Sequence, residues 1–250
     1  VAARVTRQFE RNGLGALELA QTTRYLNAAN TDIMVVGFAR RFASYKRATL
    51  LFEHLEKLEK LLGDSQRPVL FLFAGKAHPS DFAGQQLITD IFNHSRDPRF
   101  VGKILLLEDY DLALARRLYT GVDVWLNTPE YPLEASGTSG QKAAMNGVIN
   151  LSILDGWWDE GFHGNNGWAI GGRDSDPDEG AQDWADAQDL YRLLEEEAVP
   201  MWYERDADGL PQAWLDRMRE AQRTSLWDFS TTRMLAQYVE DLYLPAAKGE

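Results

Sequence analysis

An apolar run, Val122-Asp-Val-Trp-Leu126, leads toward a Gly-rich turn and an Ala-rich helix, Glu134-Ala-Ser-Gly-Thr-Ser-Gly-Gln-Lys-Ala-Ala-Met-Asn-Gly147. Read in order, these residues are a strand, a turn and a helix with one lysine at the helix entrance. Gly137 and Gly140 let backbone approach a ligand closely, and Thr138 suits a helix N-cap. The first N–H groups of such a helix lack intrahelical partners and point at an anion. Lys142 follows Thr138 by four residues, so the two side chains share one face, a turn apart. A compact ligand with a phosphate at one end and an electrophile one turn away fits this spacing. Pyridoxal phosphate is such a ligand, and its aldehyde could close a Schiff base on Lys142.

Outward from this stretch the chain alternates strand and helix. Ile33–Phe38, Val69–Phe73, Val101–Leu107 and Val148–Leu154 read as further buried strands. A helix is expected from Lys46 to Leu62, where Leu50, Leu51, Leu55, Leu58, Leu61 and Leu62 recur at helical spacing. A second helix carries Leu87, Ile88, Ile91 and Phe92, with His78-Pro79 expected at its start, and a third runs from Leu112 to Tyr119. Near-continuous apolar strands separated by helices imply βαβ units and an α/β fold, a Rossmann-like, doubly wound, mostly parallel sheet with flanking helices. In such open sheets, ligands bind outside the carboxyl ends of the strands. The expected organisation is a helical segment at 1–30, a Rossmann-like domain at 31–170, and C-terminal helices at 171–250 packed on the same domain. Those helices fall near 182–198, 211–224 and 231–243 after a polar loop at 171–180, and Ser230 caps the last.

The 250 residues are 44% hydrophobic and 26% charged, with 20 Gly and 9 Pro, as in ordinary globular proteins. No apolar run approaches the ~20 residues a helix needs to span a bilayer, so no membrane partner is expected. The net charge of −12, much of it between Asp174 and Glu197, argues against general binding to nucleic acid or anionic lipid. The acids show no ligand spacing, so no metal site is expected. Cysteine is absent, which excludes disulfides and thiolate chemistry and fits a cytoplasmic protein. The chain starts at a valine inside an apparent helix and reads as a fragment.

Each strand end carries polar residues. Arg40, Arg41, Lys46 and Arg47 form a cationic cluster suited to hold phosphate, Arg as a planar fork and Lys as a point charge. Gly75-Lys76 adds a cation after the second strand. Glu108-Asp109-Tyr110 follows the third and supplies a ring that could flank a planar cofactor. Glu134 could accept hydrogen bonds from sugar hydroxyls or balance charge. Most of the eight tryptophans are assigned to the core, and His54 and His94 carry no ligand spacing.

With these residues in hand, the chain resembles the α-glucan phosphorylases, the glycogen, starch and maltodextrin phosphorylase family. The residues concerned are Glu134–Lys142, Arg41-Phe-Ala-Ser-Tyr-Lys-Arg47, Ala74-Gly-Lys-Ala77, the Glu108–Tyr110 region, Asn146–Asn150 and Asp155–Glu160, the last two closest to bacterial-type members. The clear similarity spans roughly residues 31–170. The resemblance implies the C-terminal half of a two-domain GT-B glycosyltransferase fold and a retaining phosphorolysis of α-1,4-glucan by inorganic phosphate that releases glucose 1-phosphate. It implies pyridoxal 5′-phosphate held covalently by Lys142, with its 5′-phosphate on Thr138 and the Gly137 backbone, Tyr110 beside its ring and Arg40 near its phosphate. It further implies Arg41 and Lys46 on the inorganic phosphate, and Glu134 and Ser136 on glucose hydroxyls. Gln141 stands where the family commonly has methionine. The amino-terminal domain of the same polypeptide is the expected missing partner, so no turnover is expected from this chain alone. An exposed domain interface invites self-association, for instance as a homodimer.

The competing reading is the donor domain of a sugar-nucleotide glycosyltransferase of the glucan synthase type, with a nucleotide in the same place. Lys142 one turn from a phosphate-binding turn counts against it. A non-catalytic glucan-binding domain is a third reading, against which Arg41, Lys46 and Lys142 all stand.

Overall fold

Six strands form one sheet: β1 (Met34–Ala39), β2 (Val69–Ala74), β3 (Ile104–Leu107), β4 (Val124–Asn127), β5 (Ile149–Ile153) and β6 (Gly167–Ile170). All neighbours are parallel, in the order β3-β2-β1-β4-β5-β6. The chain winds outward from β1 through β2 to β3, then returns to the other side of β1 and winds outward again. Strand order reverses at the β1/β4 seam, where Val36 pairs with Phe71 on one side and Val124 on the other. The structure, a computed structural model, describes residues 1–26, 32–173, 176 and 178–249. The expected boundary at residues 30 and 31 lies outside these, as do residues 174, 175 and 177 of the expected polar loop.

The helices are α1 (Ala2–Arg11), α2 (Ala16–Thr23), α3 (Leu55–Gly63), α4 (Phe82–Arg96), α5 (Leu112–Gly121), α6 (Thr138–Met145) and α7 (Trp157–Gly161). They continue as α8 (Glu179–Leu193), α9 (Val199–Tyr203), α10 (Gln212–Asp228), α11 (Thr231–Tyr238) and α12 (Leu244–Lys248). Helices cover both faces of the sheet, which is why its strands read as continuous apolar runs. Val36, Phe38, Phe71, Phe73, Val124 and Leu126 belong to one core, together with Leu190 and Tyr191 of α8. Leu70, Leu72, Leu105 and Trp125 belong to the other, with Val5 and Phe9 of α1 and Leu114 and Leu118 of α5. Alternate residues of β2 thus serve opposite layers, and each fully buried Leu or Phe contributes roughly 1.5–3 kcal/mol. Trp125, Trp157, Trp158, Trp168, Trp202 and Trp214 are buried, while Trp184 and Trp227 are exposed.

Several elements differ from the sequence expectation. Gly167–Ile170 forms a sixth strand, whose three apolar residues between glycines make no run that announces itself by pattern. The helix expected from Lys46 begins only at Leu55. Ahead of it, Ser44–Lys46 and Leu50–Phe52 are single tight turns, and Arg47 sits in the left-handed region at φ 43°. The buried partners of the Arg47 side chain, described below, hold that turn. The third strand is cut to Ile104–Leu107 because Gly102 turns the chain at φ 78°. His78-Pro79 precedes α4 without starting it; Asp81 caps that helix, accepting from the Gly84 N–H at 2.9 Å. Ser230 does cap α11, accepting from the Arg233 N–H at 3.2 Å. Among the described residues no helix is long and apolar enough to cross a membrane.

Candidate active site

The polar sequences gather at the carboxyl ends of β1 to β4, around the seam where strand order reverses. β1 runs directly into Arg40, whose N–H bonds the Ala74 carbonyl at 3.1 Å, and Phe42 N–H reaches the Lys76 carbonyl at 3.0 Å. The loops after β1 and β2 therefore lie side by side. A Cβ at Gly75 would meet the Arg40 carbonyl oxygen at 2.1 Å, so this approach requires glycine. The loop after β4 is pinned to the same place. Thr128 Oγ1 donates to the carbonyls of Lys46 and Arg47 at 3.1 and 3.0 Å, and Glu130 N–H to that of Tyr45 at 2.6 Å.

These backbone contacts bring Arg40 and Lys46 onto one carboxylate. Lys46 Nζ lies 2.8 Å from Glu134 Oε2, and an Arg40 Nη2 bond reaches the same oxygen. Asp155 fixes Glu134 from the other side, accepting its backbone N–H at 2.8 Å. Burial by itself pushes the Glu134 carboxyl upward. The Lys46 hydrogen bond and the charges of Arg40 and Lys46 outweigh it and hold the group below the usual glutamate value. Arg40 is 8% exposed, and its Nε and Nη1 are buried without hydrogen-bond partners among the described residues. Two buried, unmet donors on a permanently charged group are costly unless an acceptor arrives.

Glu134 is also close to the start of α6, since a Cβ at Gly137 would lie 3.5 Å from its Cγ. Gly137, with φ 77° and ψ 46°, is the N-cap. Thr138, expected as the cap, is instead the first helical residue. The chain must pass through a left-handed turn immediately before the helix, and glycine does so without strain. Gly140 is held still more tightly: a Cβ there would lie 2.5 Å from Asn150 Oδ1 and 2.7 Å from Trp157 Nε1. Asn150 Nδ2 donates to the Gly140 carbonyl at 3.1 Å, anchoring the helix entrance to β5. The Ser136 carbonyl accepts the Trp157 N–H at 2.8 Å, so the backbone on both sides of the turn is fixed.

Lys142 is exposed, and its Nζ donates to Thr138 Oγ1 at 3.5 Å, the one-turn relation read from the spacing. It opens on a cavity of about 790 Å³ between α5 and α6, lined by Tyr110, Leu112, Ala115, Tyr119, Lys142 and Asn146. That volume is within the range of small-molecule sites. Tyr110 is half-buried at its edge. Burial, then the neighbouring Tyr119 hydroxyl, raises the Tyr110 phenol above its ordinary value, so it is neutral near pH 7. Arg41 is exposed at the β1 end, and Lys76 is exposed after β2.

Some contributors are not readable from the local motifs. Arg47, grouped with the other cations in the sequence, is turned inward: it bonds Asp183 and Asp186 at 2.7 Å each and the carbonyls of Thr128 and Pro129 at 3.1 and 2.9 Å. It ties α8 to the site without joining it. The loop before Tyr110 is gripped by α1, where Arg4 donates to the carbonyls of Glu108 and Asp109 at 3.0 and 2.7 Å and Arg11 pairs with both side chains. Arg4 and Arg11 recur seven residues apart on one helix face, a spacing that could have singled them out.

Fold and site together define an α/β protein with buried cations and an exposed lysine one turn beyond a helix N-terminus, at the switch point of a doubly wound sheet. The chain belongs to the carbohydrate phosphorylase family, which matches over residues 13–158. It is 50% identical over 221 residues to a glycogen phosphorylase of Aquifex aeolicus, covering 88% of this chain and 32% of that protein. A maltodextrin phosphorylase of Thermococcus litoralis is 48% identical over 215 residues, 86% of this chain and 25% of that protein. A glycogen phosphorylase of Mycobacterium tuberculosis strain H37Rv is 43% identical over 249 residues, 100% of this chain and 28% of that protein. The chain thus spans between a quarter and a third of the length of these curated relatives.

Proposed function

We propose that this chain is the pyridoxal-phosphate-binding part of an α-1,4-glucan phosphorylase, the C-terminal half of a GT-B arrangement that releases glucose 1-phosphate from glycogen or maltodextrin. The observation that carries the reading is the succession of three parts along the turn into α6. Buried Arg40 and Lys46 meet on Glu134, that carboxylate lies against the N-terminal turn of α6, and Lys142 stands one turn further at an open cavity. The unmet donors of Arg40 fit a phosphate, and the cavity fits a pyridine ring beside Tyr110.

Lys142 Nζ would be the point of covalent attachment. The Gly137 and Thr138 backbone would bind the cofactor's 5′-phosphate with help from Arg40. Bound there, pyridoxal phosphate would supply that phosphate as a proton partner for the substrate phosphate near neutral pH. Arg41 and Lys46 would hold inorganic phosphate, concentrating positive charge where the sugar–oxygen bond breaks. Glu134 and Ser136 would orient glucose hydroxyls, and in this structure Glu134 balances the two cations that would otherwise repel each other.

The test is trapping. The pure chain is incubated with pyridoxal phosphate, reduced with borohydride and mapped by mass spectrometry. Label confined to Lys142, and suppressed in Arg40→Met, is the expected result. Label spread evenly over the surface lysines, together with saturable binding of a nucleoside diphosphate sugar, would replace this reading with that of a nucleotide-sugar transferase.

A further inference from the structure

The proposed attachment leaves open what aims the Lys142 amine. Beyond its long contact to Thr138, the Lys142 side chain is exposed, and an unrestrained lysine loses much rotamer freedom on being fixed. One aromatic ring faces it. Lys142 Nζ lies 5.9 Å from the centroid of Tyr119, on the neighbouring helix α5. That ring is itself held in place. It packs at 4.8 Å and a 43° tilt on Trp125, which is fully buried in β4. Trp125 in turn donates from Nε1 to Ser139 Oγ at 3.4 Å, so the support under Tyr119 is tied to the first turn of α6. Tyr110, Tyr119 and Lys142 line the same cavity.

We infer that Tyr119 is a positioning residue: its ring face, braced by Trp125, holds the Lys142 ammonium at the mouth of the α5–α6 cavity, so that the free amine left when the ammonium gives its proton to water starts beside the electrophile of the bound cofactor. A cation within about 6 Å of a ring centroid is attracted by the ring's negative face. The attraction draws the amine toward α5 and the cavity and away from open solvent. A hydroxyl is not required for this, so phenylalanine serves where leucine does not. The inference rests on the proposed cofactor site, but the hold on the amine can be read without the cofactor.

The experiment uses the whole chain in four forms: wild type, Tyr119→Phe, Tyr119→Leu and Lys142→Arg. Lysines are reductively methylated with ¹³C-formaldehyde, and the Lys142 resonance is assigned by its absence in Lys142→Arg. The expected Lys142 signal is ring-shifted upfield of the other lysines in wild type and Tyr119→Phe, and loses that shift in Tyr119→Leu. Borohydride trapping with pyridoxal phosphate is then timed on unmethylated protein. The initial rate of label at Lys142, relative to the other lysines, is expected to fall roughly threefold in Tyr119→Leu, the effect of freeing one side-chain torsion with its three staggered wells, and to hold in Tyr119→Phe. An unshifted wild-type signal, or preferential trapping at Lys142 that is equal in wild type and Tyr119→Leu, overturns the inference. A shifted signal with no preferential trapping at Lys142 in any form supports the hold of Tyr119 on the amine and overturns the cofactor reading instead.

Discussion

Arg40 and Arg47 lie seven residues apart on one loop, are buried to the same degree, and do opposite things. Arg47 spends its Nε, Nη1 and Nη2 on two carboxylates and two carbonyls, all supplied by the protein. Among the described residues Arg40 makes a single side-chain pairing, to Glu134, and keeps Nε and Nη1 buried without partners. A fully satisfied buried arginine is a clamp; one left partly unmet is a socket for an anion. Burial and charge do not separate the two. The census of donors does.

The largest effect should come from breaking the clamp. Arg47→Met leaves Asp186, a carboxylate 5% exposed, without its cation, and should lower unfolding free energy by about 3–5 kcal/mol, seen as a lower midpoint in urea. A loss below about 1 kcal/mol would erase the distinction. Arg40→Met should cost much less stability, about 1 kcal/mol, because two of its donors had nothing to lose and Lys46 still neutralises Glu134. It should instead weaken pyridoxal phosphate binding by at least about tenfold in calorimetry, the worth of one charge-assisted bond.

The smallest effect is in acid. The folded-state value of Glu134 lies below its unfolded one, so its ion pairs add stability that is complete above the unfolded value and fades as pH falls through the folded one. In Glu134→Gln that part of the acid limb should be missing from a stability–pH profile. An unchanged profile would show that Glu134 is not held by the two cations in solution.

The sheet was largely legible, because five of its strands are apolar runs separated by helices with clear periodicity, and the strand-end rule pointed to the loops where the structure gathers the polar side chains. β6 escaped, because only Trp168-Ala-Ile170 is apolar there, between Asn165-Asn-Gly167 and Gly171-Gly172. Tertiary contacts overrode local pattern at residues 47–54, where the leucine spacing reads as helix but buried Arg47 demands a left-handed turn. Within the candidate site, the Thr138–Lys142 spacing was readable from helical geometry alone. The division of labour between Arg40 and Arg47 was not: it depends on Asp183 and Asp186, some 136 and 139 positions away. The N-cap falls one residue before the expected Thr138 for a local reason, since Gly137 takes a left-handed turn that threonine cannot take cheaply.

Glu134 stands 94 positions from Arg40 and 88 from Lys46 along the chain. Their meeting has a kinetic meaning. β1–β3 and β4–β6 can each form from nearer neighbours, whereas this cluster closes only once the two halves join along the β1/β4 seam. Contacts of such long range belong to the late part of folding, after most of the sheet exists. An anion that bridges them binds the finished protein and little that comes before it, so it would act as a latch, lengthening the lifetime of the native state far more than it hastens its arrival.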